Sequence, residues 1–128
     1  MSVPARTVYV SNGRAGTMTP IAAATNIPGP PIPVGRGPGL IVITPDGKTA
    51  YVTNEVRGSV TPIRTATNTA LPPIKVGGFP LAIAITPDGK TAYVVNQDSD
   101  TVTPIRTATN TALPGLKIGY SGPIAITP

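Results

Sequence analysis

The 128 residues contain no cysteine and no histidine. The first absence excludes a disulfide framework, a thiolate nucleophile and a cysteine-ligated zinc. The second removes the commonest general base and the commonest transition-metal ligand. Tryptophan is missing and phenylalanine occurs once. Acids are scarce, five against ten bases, for a formal net charge of +5. That scarcity leaves no recurring carboxylate pair for glycosidase-type work, and no nucleophile, base and orienter assemble from what remains. The mildly basic balance suits a soluble surface and also a polyanion. No stretch approaches the roughly 18 apolar residues of a membrane span, and the opening "MSVPARTVYV" has no apolar core or cleavage site of a leader. As written, the chain reads as soluble and unexported, with no membrane partner and no mark of a particular compartment.

What is abundant is backbone punctuation. Seventeen prolines and 14 glycines are set in an apolar background, 40% of the chain, drawn mostly from Val, Ile and Ala. The mixture is too apolar for disorder and too interrupted for helices, so the expected class is all-β, with many short strands joined by tight turns. The sequence also repeats itself. "DGKTAYVTN" from Asp46 returns as "DGKTAYVVN" from Asp88, 42 residues on, and "PARTVYVSN" from Pro4 stands 42 residues earlier. Residues 1–128 thus form one domain of three units, 4–45, 46–87 and 88–128. A period near 40–45 residues with strand content points to a β-propeller with one four-stranded blade per unit.

In the middle unit, "LIVIT" at 40–44 reads as an apolar inner strand, expected to be buried on both faces. The second strand falls at 49–54 and the third at 59–64. After the polar turn "TATNT" comes a short outer strand at 72–76, whose proline and lysine blunt the edge. Asp46-Gly47 should supply the positive φ of a primed hairpin turn between the first two strands. Pro20, Pro62 and Pro104 lie inside third strands, where a missing N–H predicts a bulge or an early end to pairing with the outer strand. "IAAATN" at 21–26 looks helical alone, but it fills the slot of "IRTATN", so the repeat overrules local propensity.

Few residues suggest chemistry. "NQDSD" spaces Asn96, Asp98 and Asp100 like the start of a calcium loop, yet Thr101 and Thr107 stand where the loop needs glycine and glutamate, so it reads as a polar loop. "GRGPG" at 35–39 precedes a strand instead of opening a helix, which makes its glycines turn residues and not a phosphate cradle. No cofactor is implied. Loops from second to third strand, and from each outer strand to the next blade, should emerge on one side. They carry Arg14, Arg36, Arg57, Phe79 and Tyr120. Cations beside aromatic rings can hold single-stranded nucleic acid without reading its sequence. The plainer reading is solvated loops, with Phe79 and Tyr120 plugging gaps between blades.

"RTVYVSN", "KTAYVTN" and "KTAYVVN", each followed by the third strand's "TPI" and the later "ATN", resemble the YVTN family of β-propeller repeats across essentially the whole chain. The resemblance implies a propeller fold and relatives that are mostly surface-layer, secreted or periplasmic, a few of them nucleic-acid binders. The aspartate the family usually carries after the third strand is here Ala22, Arg64 and Arg106, so no role of that residue carries over. The family normally has about seven blades in one chain, against three units here. Three blades do not close a ring, since propellers have about four to eight. The chain opens on a second strand carrying Thr7, Val8, Tyr9 and Val10, and ends on a first strand carrying Ile124, Ala125 and Ile126. The expectation is therefore a non-enzymatic scaffold or interaction module that partners itself. A homodimer of six blades is favoured over a homotrimer of nine, with the C-terminal strand exchanged between copies. The alternative is a propeller binding a polyanion or single-stranded nucleic acid. The near-identical units fit a recent duplication or a fragment cut on purpose.

Overall fold

The computed structural model describes residues 5–119 and 122–128, which form strands and no helix. Three antiparallel sheets follow one another along the chain. Blade one contains β1 (Thr7–Asn12), β2 (Thr17–Ala22), β3 (Ile27–Pro28) and β4 (Ile32–Pro33). Blade two contains β5 (Pro38–Ile43), β6 (Thr49–Asn54), β7 (Ser59–Arg64), β8 (Thr69–Ala70) and β9 (Ile74–Lys75). Blade three repeats that set as β10 (Pro80–Ile85), β11 (Thr91–Asn96), β12 (Thr101–Arg106), β13 (Thr111–Ala112) and β14 (Leu116–Lys117). Strand pairing runs β5–β6–β7, with both β8 and β9 on β7, and blade three matches it. Among the described residues, β1 of blade one pairs with β2 alone and has no inner strand beside it.

The two cores lie between sheets, not within them. Met18, Ile32 and Val34 of blade one pack on Ala50, Val52 and Ile63 of blade two. One period later, Tyr51, Val60 and Ile74 of blade two pack on Ile83, Ala92, Val94 and Ile105 of blade three. Successive residues of a strand point to opposite faces, so β6 sends Ala50 and Val52 one way and Tyr51 the other. A middle blade is consequently buried on both faces, which is why alternation between apolar and polar residues is absent from its central strands.

Four local features differ from the sequence expectations. The inner strand is not buried on both faces: Leu40 and Ile43 of β5 are exposed, because this strand forms the free edge of its sheet. The outer strand is two short pieces, not one run at 72–76, and Thr69 belongs to the first piece instead of the turn. The break falls at Pro62, as its missing N–H predicted; its carbonyl still accepts from Leu71 N at 2.8 Å, while β8 and β9 pair with β7 on either side. Between β5 and β6 only Gly47 is left-handed, φ 74°, so the turn is not a primed pair. Pro45 presets the first corner, and Gly47 N closes on Thr44 O at 2.8 Å. Residues 122–128 lie in no strand, so Ile124, Ala125 and Ile126 are without a ladder in the single chain.

Candidate functional site

One end of the blades is built from stitched loops. The hairpins after β1, β6 and β11 meet the connectors between blades through backbone bonds: Val34 N to Gly16 O at 3.0 Å, Glu55 N to Gly37 O at 2.9 Å, and Gln97 N to Phe79 O at 3.0 Å. Each hairpin root is clamped by the asparagine that ends the second strand. Asn54 Nδ2 donates to Ser59 Oγ at 3.1 Å and to Thr61 Oγ1 at 2.6 Å, and the Thr61 hydroxyl donates in turn to Val34 O at 2.8 Å. Asn12 and Asn96 make the same pair of bonds to their own threonines. The Oδ1 atoms of Asn54 and Asn96 are buried and accept from no protein group.

Arg14, Arg36 and Arg57 are exposed on this end. Arg36 and Arg57 line an open cleft of about 670 Å³ between blades one and two, with Lys75 as a third cation and Asn54 at its base. Arg14 and Arg36 share an adjoining recess of about 460 Å³. Phe79 stands on the far side of Arg57, in a recess of about 340 Å³ that also holds Glu55 and Asp98. The ring and two of the arginines therefore sit apart, with acids beside the ring. Tyr120 lies outside the described residues. Sequence reading missed Lys75, which it assigned to edge protection. Its place opposite Ser59 in the β7–β9 register, two residues from Arg57, was the available signal.

Phe79 is also left-handed, φ 52°, at the slot where blade one has Gly37, φ 67°. A bulky residue there is strained by about 1–3 kcal/mol, a cost its packing must offset. Asp100 is left-handed too, φ 52°, in the slot of Gly16 and Gly58. Asp98 N donates to Gly78 O at 3.1 Å, so "NQDSD" is one of the stitched hairpins. Among the described residues no group of three or more acids comes together to hold a metal, and no helix is long and apolar enough to cross a membrane.

The two recurring acids work inside turns. Asp46 Oδ1 accepts from Thr44 Oγ1 at 2.6 Å and from Lys48 N at 2.9 Å, and Asp88 does the same with Thr86 and Lys90. The threonine hydroxyl above all, then the backbone N–H, holds each carboxyl below its ordinary value. Burial pushes the Tyr9 and Tyr51 hydroxyls above theirs, with the Asp46 charge adding to the effect at Tyr51. The described residues of the loop face thus offer cations for an anion.

Solved structures share this architecture. Hydrazine synthase of Kuenenia stuttgartiensis is similar at 30% identity over 91% of this chain and 34% of that one, with a TM-score of 0.85. A putative 6-phosphogluconolactonase of Bacteroides fragilis superposes at TM-score 0.71, with 21% identity over 85% of this chain and 36% of that one. The WD40 repeats of RRP9 superpose at TM-score 0.76, with 13% identity over 87% of this chain and 35% of that one. The last two likenesses show the fold alone. The chain spans about a third of the length of each of these structures. Among curated proteins none matches it in sequence. The model of one family, described as Lactonase, 7-bladed beta-propeller, matches residues 5–119. With the repeated antiparallel sheets, that match places the chain in the seven-bladed lactonase family of β-propellers.

Proposed function

We propose that this chain is a non-enzymatic propeller segment of YVTN-like repeats whose role is assembly, and that two copies close a ring of six blades, one fewer than its family's seven. One observation carries the reading: positions buried between blades are exposed at the two outer faces. Ile32 and Ile74 are 6% and 7% exposed, while their counterpart Leu116 on blade three is 52% exposed. Val52 and Val94 are fully buried, while their counterpart Val10 on blade one is 44% exposed. Val8 near Val10 and Ile118 near Leu116 are exposed as well, and grouped apolar surface of this kind marks an interaction site. Here the two faces are the two halves of an interface the chain already makes twice, and a second copy supplies both halves. Head-to-tail contacts related by a two-fold axis would close the ring. In that ring Ile124, Ala125 and Ile126, which match Ile83, Ala84 and Ile85 of β10, would pair with Val10, Tyr9 and Val8 of β1 in the register that β10 holds on β11. Lactone hydrolysis, suggested by the name of the Bacteroides relative, needs a group to activate water, and the charged residues that line the cleft, Arg36, Arg57 and Lys75, are all cations. The mass in solution, by sedimentation or light scattering, is expected at twice the 13.0 kDa of the chain. A stable monomer or a trimer overturns the two-copy ring.

The same cleft supports a second reading, a site for a polyanion such as single-stranded nucleic acid. A fluorescent oligonucleotide should then bind with an affinity that falls steeply as salt rises, because each phosphate neutralised releases counterions. Arg36→Ala combined with Arg57→Ala should shallow that slope. No binding at low salt rejects the reading.

A further inference from the structure

One hydrogen bond recurs across the blade boundaries. Tyr9 of blade one donates its hydroxyl to Asn68 Oδ1 of blade two at 2.6 Å, and Tyr51 of blade two donates to Asn110 Oδ1 of blade three at 2.6 Å. The partners are 59 residues apart in both cases. The two acceptors occupy the turn after the third strand in left-handed backbone, φ 54° and 53°, which aims the amide at the preceding blade. Each repeat therefore carries one donor and one acceptor. Among the described residues two lack such a partner, Tyr93 on blade three and Asn26 on blade one. Asn26 already holds the same conformation, φ 57°. Tyr93 faces Pro104 across its ladder as Tyr51 faces Pro62. Tyr51 is fully buried by the blade that follows it, and Tyr93 is half-buried, as is Tyr9.

We propose that Tyr93 of one copy donates its hydroxyl to Asn26 of a second copy, and that this bond, with the ladder of the exchanged strand, sets the register of the joint between them. The inference rests on the two-copy ring. Apolar faces attract without direction, so Val10 and Leu116 alone would tolerate sliding. A short O–H···O bond demands one distance and one angle. Tyrosine and asparagine on the two open faces thus specify a second copy of this repeat over any other apolar surface.

Tyr93→Phe and Asn26→Ala test the bond at its two ends, with the dissociation constant of the dimer read from the concentration dependence of mass. Each variant alone breaks both joints of its homodimer, and the constant should rise on the order of tenfold or more, as loss of a net-stabilising hydrogen bond at two places requires. Mixing the two variants creates a heterodimer with one joint wholly intact, so the mixture should associate more tightly than either variant. Tyr51→Phe, which loses the bond inside the chain, should lower thermal stability without that rescue pattern. A wild-type monomer at micromolar concentration overturns both this bond and the ring. A wild-type dimer whose constant is unchanged in Tyr93→Phe and Asn26→Ala overturns the bond and leaves the ring standing.

Discussion

Tyr51→Ala should cost about 3–5 kcal/mol of stability, the range for removing a large buried aromatic from a core. Tyr51 is fully buried in the cluster that joins blades two and three, with Val60, Ile74, Ile83 and Val94 around it, and its hydroxyl reaches Asn110. Truncation opens a cavity exactly where two sheets meet, and neither sheet can collapse into it without giving up its own ladder. Domains of this size have only about 5–15 kcal/mol in hand. The urea midpoint should therefore move sharply with little change in slope, since the surface exposed on unfolding stays nearly the same. Tyr51→Phe should lose only about 1 kcal/mol, the net value of the bond to Asn110. A loss below about 1 kcal/mol for the alanine variant would show that the blade interface does not hold the fold together.

Joining two copies through an Asp-Gly pair that takes the place of residues 1–5 of the second copy should give a six-bladed single chain that is more stable than two separate copies. The linker is the native one: inside the chain, Asp46-Gly47 and Asp88-Gly89 already connect "ITP" to "KTAY". Each such turn is closed by the aspartate's bonds to a threonine hydroxyl and a backbone N–H. Linking makes one joint intramolecular, at an effective concentration on the order of millimolar. At micromolar protein the tandem form should gain stability, and its thermal midpoint should lose the concentration dependence of a dimer. Scanning calorimetry across a range of concentrations measures both. A tandem chain that forms larger particles, or that melts no higher than the separate copies, counts against a six-bladed ring.

The sequence alone settled the period, the all-β class and most of the strand positions. "TAYVTN" and "SVTPIR" became β6 and β7 with the expected limits, because second and third strands have a neighbour on each side and their pattern is set by both. The break at Pro62 was also legible, since a missing N–H is a property of the residue and not of its surroundings. Gly47 was legible as left-handed for the same kind of reason, and the prominence of Asp46 proved to come from its side-chain bonds. What tertiary structure decided was everything that depends on the neighbouring blade. Whether Lys75 and Arg57 share a cleft with Arg36, and whether Val10 meets water or a second sheet, are settled by which blade stands alongside. Hydrophobic pattern reports that a face is apolar but not what covers it. In a fold whose cores lie between repeats, the same valine is fully buried in blades two and three and exposed in blade one.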